Sequence, residues 1–152
     1  MYPPPPQTPQ TAWSPHQTGP RAGFWRRFAA IFIDGIIVGI VPIIIIVALS
    51  GSARALGYVI YVIAAIGYEI YFIGGPSGQT PGKRVLGIRV IDFNTGGSIG
   101  YGRAAIRWIG KYVSAIPCYL GYFWMLWDKE KQCWHDKFAT DVVVPAQYYP
   151  VQ

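Results

Sequence analysis

Charge is what this sequence has least of. Only 13% of its 152 residues are Asp, Glu, Lys or Arg while 52% are apolar, and a charged share roughly half the usual one excludes an ordinary soluble domain. Acidic side chains are scarcest, seven against thirteen basic ones, which leaves a formal charge of +6 and a pI near 9.4. Nucleic acid is not the implied partner, because that needs a basic face on a soluble fold and long apolar runs argue against one. The bilayer, including anionic lipid, is the expected counter-surface. Cysteine is nearly absent too: Cys118 and Cys133 are too few for a disulfide framework and read as a small core hydrophobe and an idle thiol.

The first twenty residues lack charge altogether yet hold seven of the thirteen prolines. Residues 1–21 are therefore expected to be a disordered Pro-rich cytoplasmic tail, a tether in preference to a ligand for Pro-binding modules. They are not a signal peptide, since the apolar run comes late and is too long. Residues 145–152 are expected to form a short C-terminal tail.

What the chain does have is apolar length. Residues 28–49 contain one charge, Asp34, and about 33 Å of helix there is enough to cross the hydrocarbon layer. Pro42 should bend that helix, and Gly35 and Gly39 offer a small-residue face to a neighbour. A second span is expected over 57–73, interrupted by Glu69 and carrying Tyr58, Tyr61, Tyr68 and Tyr71, whose rings suit the interfaces. The loop between, SGSARALG, has one Arg, whereas Arg21, Arg26 and Arg27 precede the first span and Lys83, Arg84, Arg89, Arg103, Arg107 and Lys111 follow the second. The positive-inside rule places the N-terminus and the long central loop in the cytoplasm. In that loop, 85–91 reads as a strand followed by an Asn94-Thr95-Gly96-Gly97 turn, with DVVVP (141–145) as a partner strand.

A third apolar segment, 104–127, is broken by Pro117. Arg103, Arg107 and Lys111, four apart, form a basic stripe, and Ile106, Ile109, Val113 and Ile116 lie away from it. A single crossing would export Lys129, Lys131 and Lys137, so an interfacial helix followed by a re-entrant or kinked piece is preferred. The fold class is thus an all-α membrane protein, a small transmembrane helical bundle with a short cytoplasmic β element.

A carboxylate near the middle of a spanning helix costs roughly 2.5–3.5 kcal/mol, so Asp34 is either an ion- or proton-handling group or a hydrogen-bonded fastener between helices. Arg27, one heptad earlier, is about 10.5 Å away along the axis, too far for a same-helix pair. Glu69 should sit at similar depth and pair with Asp34, or else snorkel to the interface. Arg107 and Lys111 are the other charge partners available. TPGKR (80–84) is not a phosphate loop, because Lys-Arg replaces the required Lys-[Ser/Thr] and no strand precedes it. CWHDK (133–137) lacks a second Cys/His pair at ligand spacing, so no metal or other cofactor is expected. No Ser-His-Asp arrangement carries a catalytic motif either, and the chain is not expected to be an enzyme.

In order, FWRRFAAIFID, TPGKRVLGIRVID and WHDKFATDVVV resemble the RDD family of small bacterial integral membrane proteins, over about 22–144. That resemblance implies a multi-pass protein of the bacterial cell membrane with a named Arg, an Asp in the same helix and a second Asp downstream: Arg27, Asp34 and Asp136, with Asp141 or Asp92 competing for the last place. Asp141 stands where the family tends to have Gly-Thr before its valines. Transport or handling of an ion or small ligand is the role the resemblance suggests; a membrane scaffold or accessory subunit recruiting partners through the Pro-rich tail is the alternative. With so few helices, either role calls for a homo-oligomer or a larger membrane complex.

Overall fold

The computed structural model describes residues 19–149. Most of the expected Pro-rich tail and the last three residues lie outside that range.

The first long helix runs from Phe24 to Ala48 in three pieces: α1 (Phe24–Gly35), a π-helical turn (Ile36–Ile40) and α2 (Val41–Ala48). The irregularity expected at Pro42 thus appears one turn earlier, where the ring and missing donor of a proline disturb the preceding carbonyls. Helix α3 (Gly51–Gly74) begins six residues earlier than expected, so most of SGSARALG is helical and the connection shrinks to Leu49 and Ser50. Arg54 explains the short turn: its guanidinium donates to the carbonyls of Leu49 (2.7 Å) and Val47 (3.2 Å), capping the end of the first helix with the charge its dipole favours. At 25 and 24 residues, both helices reach about 36 Å, long and apolar enough to cross a membrane. Gly35 and Gly39 have nothing within 4 Å of where a Cβ would stand, so the small-residue face is open in the single chain.

After α3 the chain builds a compact unit against the Arg27 end of the first helix. Helix α4 (Pro81–Val85) takes the first residue of the stretch expected as strand, and β1 (Ile88–Asp92) begins three residues later than expected. Helix α5 (Gly100–Ala115), the single turn α6 (Leu120–Phe123), α7 (Trp134–Phe138) and β2 (Asp141–Pro145) complete it. β1 and β2 pair antiparallel, with Ile88 opposite Pro145 and Asp92 opposite Asp141. Both faces of this two-stranded sheet are covered. Ile88, Val90 and Val143 pack with Ala30, Ile73 and Ala104 on one side, while Ile91, Val142 and Val144 pack with Phe93 and Tyr149 on the other. The result is a mostly helical protein with one small sheet and two membrane-length helices. Pro145 belongs to β2, and Arg89 holds the Tyr149 carbonyl at 2.8 Å, so the expected tail is packed up to that residue.

The third apolar segment does not form a membrane-length helix. Past Ala115 the backbone turns with Cys118 and Tyr119 in the left-handed region (φ 49° and 61°). Gly121 then packs so closely on Ser114 that a Cβ would stand 2.7 Å from its Cα.

Candidate functional site

Asp34 finds its partners on α3 and, mainly, on α4. Its Oδ2 accepts the Thr80 hydroxyl at 2.5 Å, and its Oδ1 accepts the Gly82 N–H at 2.8 Å and the Tyr68 hydroxyl at 3.1 Å. Local sequence explains why α4 is there. Thr80 caps it, its side chain accepting from the Lys83 N–H, and Pro81 sits at the first helical position, where no donor is missed. Gly82 allows the approach, since a Cβ there would lie 2.4 Å from the Ala30 carbonyl oxygen. Among the described residues Asp34 has no ion pair.

Glu69 does not meet Asp34. It forms an ion pair with Lys111 of α5, so of the alternatives open in the sequence, the acid on α3 takes the lysine and the acid on α1 takes hydroxyls and an amide.

Arg27 reaches a second cluster. Its Nη1 donates to Asp136 Oδ2 at 2.5 Å, its Nη2 to the Lys131 carbonyl at 2.7 Å and its Nε to the Ala22 carbonyl at 3.2 Å. Asp136 is held from three directions: Arg27, Arg107 Nη1 on Oδ1, and the Cys133 N–H, which donates to Oδ2 at 2.9 Å as part of the α7 capping box. Arg107 Nη1 also bonds Asp141 Oδ1 at the start of β2. Asp136 and Asp141 are fully buried. Two buried acids sharing one guanidinium cannot be equivalent. Burial raises the proton affinity of each; for Asp136, Arg107 and Arg27 outweigh that and hold the carboxyl well below the usual range. Burial, with Asp136 reinforcing it, wins at Asp141, which is pushed up to about 7 despite Arg107. Asp141 Oδ2 and Arg107 Nε have no hydrogen-bond partner among the described residues. Asp92, the other competitor for the downstream position, stands opposite Asp141 in the sheet but pairs with Arg103.

Lys83 stands between the two clusters. Burial, then the charge of Arg107, lowers its ammonium to about 8 against the opposing pull of Asp34 and Asp136. Thr80, Gly82, Lys83 and Tyr68 were missed as site residues in the sequence, although Thr-Pro ahead of a basic run is a helix-start signal.

Cys133, His135 and Asp136 bring potential ligand atoms within 4.8 Å of one another. The donor set does not suit a cation: burial pushes the Cys133 thiol up to about 12, and both oxygens of the one carboxylate already face guanidinium groups.

The sequence profile of the RDD family matches residues 21–140. The chain belongs to the RDD family. Proline-rich antigen homolog of Mycobacterium tuberculosis is 34% identical over 86 residues, 55% of this chain and 36% of that protein. Proline-rich antigen of Mycobacterium leprae is 37% identical over 71 residues, 47% of this chain and 28% of that protein. This RDD chain thus spans about a third of the length of those antigens. YxaI of Bacillus subtilis is 29% identical over 148 residues, covering 81% of this chain and 96% of YxaI. No solved structure significantly matches this chain. Of the three residues that family resemblance singles out, Arg27 and Asp136 bond directly, and Asp34 is tied to α4.

Proposed function

We propose that this RDD protein is a multi-pass protein of the bacterial cell membrane, N-terminus in the cytoplasm, that handles a proton or small hard cation at Asp34. The observation that carries the reading is the company Asp34 keeps: a carboxylate within a membrane-length helix, met by two hydroxyls and one N–H with no ion pair among the described residues. Hydroxyls both donate and accept. When a cation arrives, Thr80 and Tyr68 can turn lone pairs toward it and join Asp34 in an oxygen set of the kind hard cations prefer. The π-helical turn that begins at Ile36, two residues on, is a form often found at functional sites. Lys83 is the internal competitor, since its positive charge, already weakened by burial, occupies the same negative surroundings. Asp136, Arg27 and Arg107 tie α1, α5, α7 and the start of β2 together, and Glu69 with Lys111 joins α3 to α5. Two spans do not enclose a pathway, so the working unit is a homo-oligomer or larger complex, for which the open Gly35 and Gly39 face offers a contact.

The test is ion flux in liposomes. Wild type should dissipate an imposed proton or alkali-cation gradient, and Asp34→Asn should fold equally well and lose that flux. Absence of flux from wild type under any gradient, with misassembly of Asp34→Asn, would leave the reading without support.

The second reading, a membrane scaffold, is favoured by the closed pairs Arg27–Asp136 and Glu69–Lys111. Here the charges only fix the packing, and the tail with seven prolines in twenty residues recruits the partner.

A further inference from the structure

Helix α5 is turned inside out. Its polar positions face the protein: Arg107 and Ser114 are buried, and Lys111 reaches Glu69. Its apolar positions face away, with Ile106, Ile109, Tyr112 and Ile116 exposed by 48, 57, 59 and 81%. A helix bordering water does the reverse. The exposed apolar surface continues round the turn at Cys118 onto Leu120, Phe123 and Trp127. At 16 residues, α5 spans about 24 Å, short of the roughly 30 Å of hydrocarbon, and the close packing of Gly121 on Ser114 returns the chain along its own path. The returning end is aromatic and then charged. Trp124, Trp127, Asp128, Lys129, Glu130 and Lys137 line one open cleft; the Lys137 ammonium stands 5.9 Å from the Trp124 ring and pairs with Asp128, and Glu130 pairs with Arg21, so Lys129 is the basic group there without an ion pair among the described residues. The next segment is pinned to the start of α1 through Arg27 and Asp136.

We propose that the α5–α6 hairpin is a re-entrant lipid anchor. Its outer face lies among the acyl chains of a single leaflet, and Lys129, just past Trp127 at its base, meets the phosphate of anionic lipids. The assignment of lipid, in preference to protein, rests on charge and on the order along the hairpin: apolar at the tip, Trp at the base, Lys beyond, which is the sequence of environments across a leaflet. It does not depend on Asp34 handling an ion.

Cys118 provides a native probe at the tip, since it is exposed whereas Cys133 is buried. The full chain is labelled there with an environment-sensitive fluorophore and reconstituted in vesicles of phosphatidylcholine and phosphatidylglycerol. Nitroxides on acyl chains should quench the probe and aqueous iodide should not. Separate Asn94→Cys and Lys129→Cys variants should react with an impermeant maleimide from one and the same side. Lys129→Gln, with the tip still lipid-quenched, should lower enrichment of phosphatidylglycerol around the protein by about fivefold, the equivalent of about 1 kcal/mol per basic residue near a charged surface. Four results overturn the proposal: iodide quenching of the tip, Cys118 cross-linking between copies in place of lipid quenching, labelling of residues 94 and 129 from opposite sides, or unchanged lipid enrichment in Lys129→Gln.

Discussion

The guanidinium of Arg27, at the start of the first long helix, bonds the carboxylate of Asp136 at 2.5 Å across 109 residues of chain. Asp136 is fully buried and Arg27 nearly so, so removing either takes a close partner from a buried charge, a loss of up to about 3–5 kcal/mol; Asp136 keeps Arg107, and Arg27 keeps two carbonyls. Arg27→Ala and Asp136→Asn should each lower stability by that order in detergent. The double variant should lose clearly less than the sum, because the Arg27–Asp136 bond is counted in both single losses but broken only once. Chemical denaturation of the four proteins checks this; additive losses would show that the two side chains do not act as a pair.

Gly82 lets α4 touch α1. Gly82→Ala places a methyl group 2.4 Å from the Ala30 carbonyl oxygen and 2.8 Å from Asp34 Cγ, and overpacking of this kind costs about 1–3 kcal/mol. The same change at Gly35, where nothing lies within 4 Å, should be neutral or slightly stabilising in the monomer through helix propensity. Thermal unfolding of both variants provides the comparison. Reactivity of Lys83 toward an acylating reagent should rise in Gly82→Ala, as its cover lifts away.

The pH dependence of stability should carry the mark of Asp141. Its folded carboxyl titrates near 7 and its unfolded one near 3.9. Between those values the folded state holds a proton that the unfolded state lacks, and stability falls as pH rises through the window. The proton belongs on Oδ2, which has no other partner among the described residues, while Oδ1 keeps its bond to Arg107. Asp136, held low by two arginines, acts oppositely: its contribution is complete above about 4 and lost below it. Asp141→Asn should therefore flatten the decline between about pH 4 and 7 and leave the acid limb intact. Unfolding midpoints measured across that range would show it.

The parts that periodicity or composition mark were legible in the sequence: both long apolar helices, the break of the third segment at Pro117 and the pairing of 141–145 with the strand after Gly87. α4 was not, since five residues are too few for any repeat and only Thr80-Pro81 announces it. The start of α3 was misjudged because Gly51 and Ser52 look like loop, and it is Arg54, folding back on the preceding carbonyls, that lets the turn be so short. Asp34 was singled out by its cost in an apolar helix, but its partners were not, because hydrogen bonds to Thr80 and Gly82 depend on where a loop returns. Which of the available partners Glu69 takes is not legible in the sequence for the same reason: depth along a helix says nothing about facing direction, and α5 brings Lys111 to it.

The most direct test of the central claim is the response of Asp34 itself to cations. Infrared difference spectroscopy of the reconstituted protein, with and without sodium or potassium, reads a buried carboxyl group by its stretching band. Ion addition should shift the carboxylate stretching bands as the cation joins the oxygen set, and that shift should vanish in Asp34→Asn while persisting in Asp141→Asn. A spectrum unmoved by either ion, or one that responds identically in Asp34→Asn, would contradict the account and leave Asp34 as the hydrogen-bonded fastener of α1 to α4.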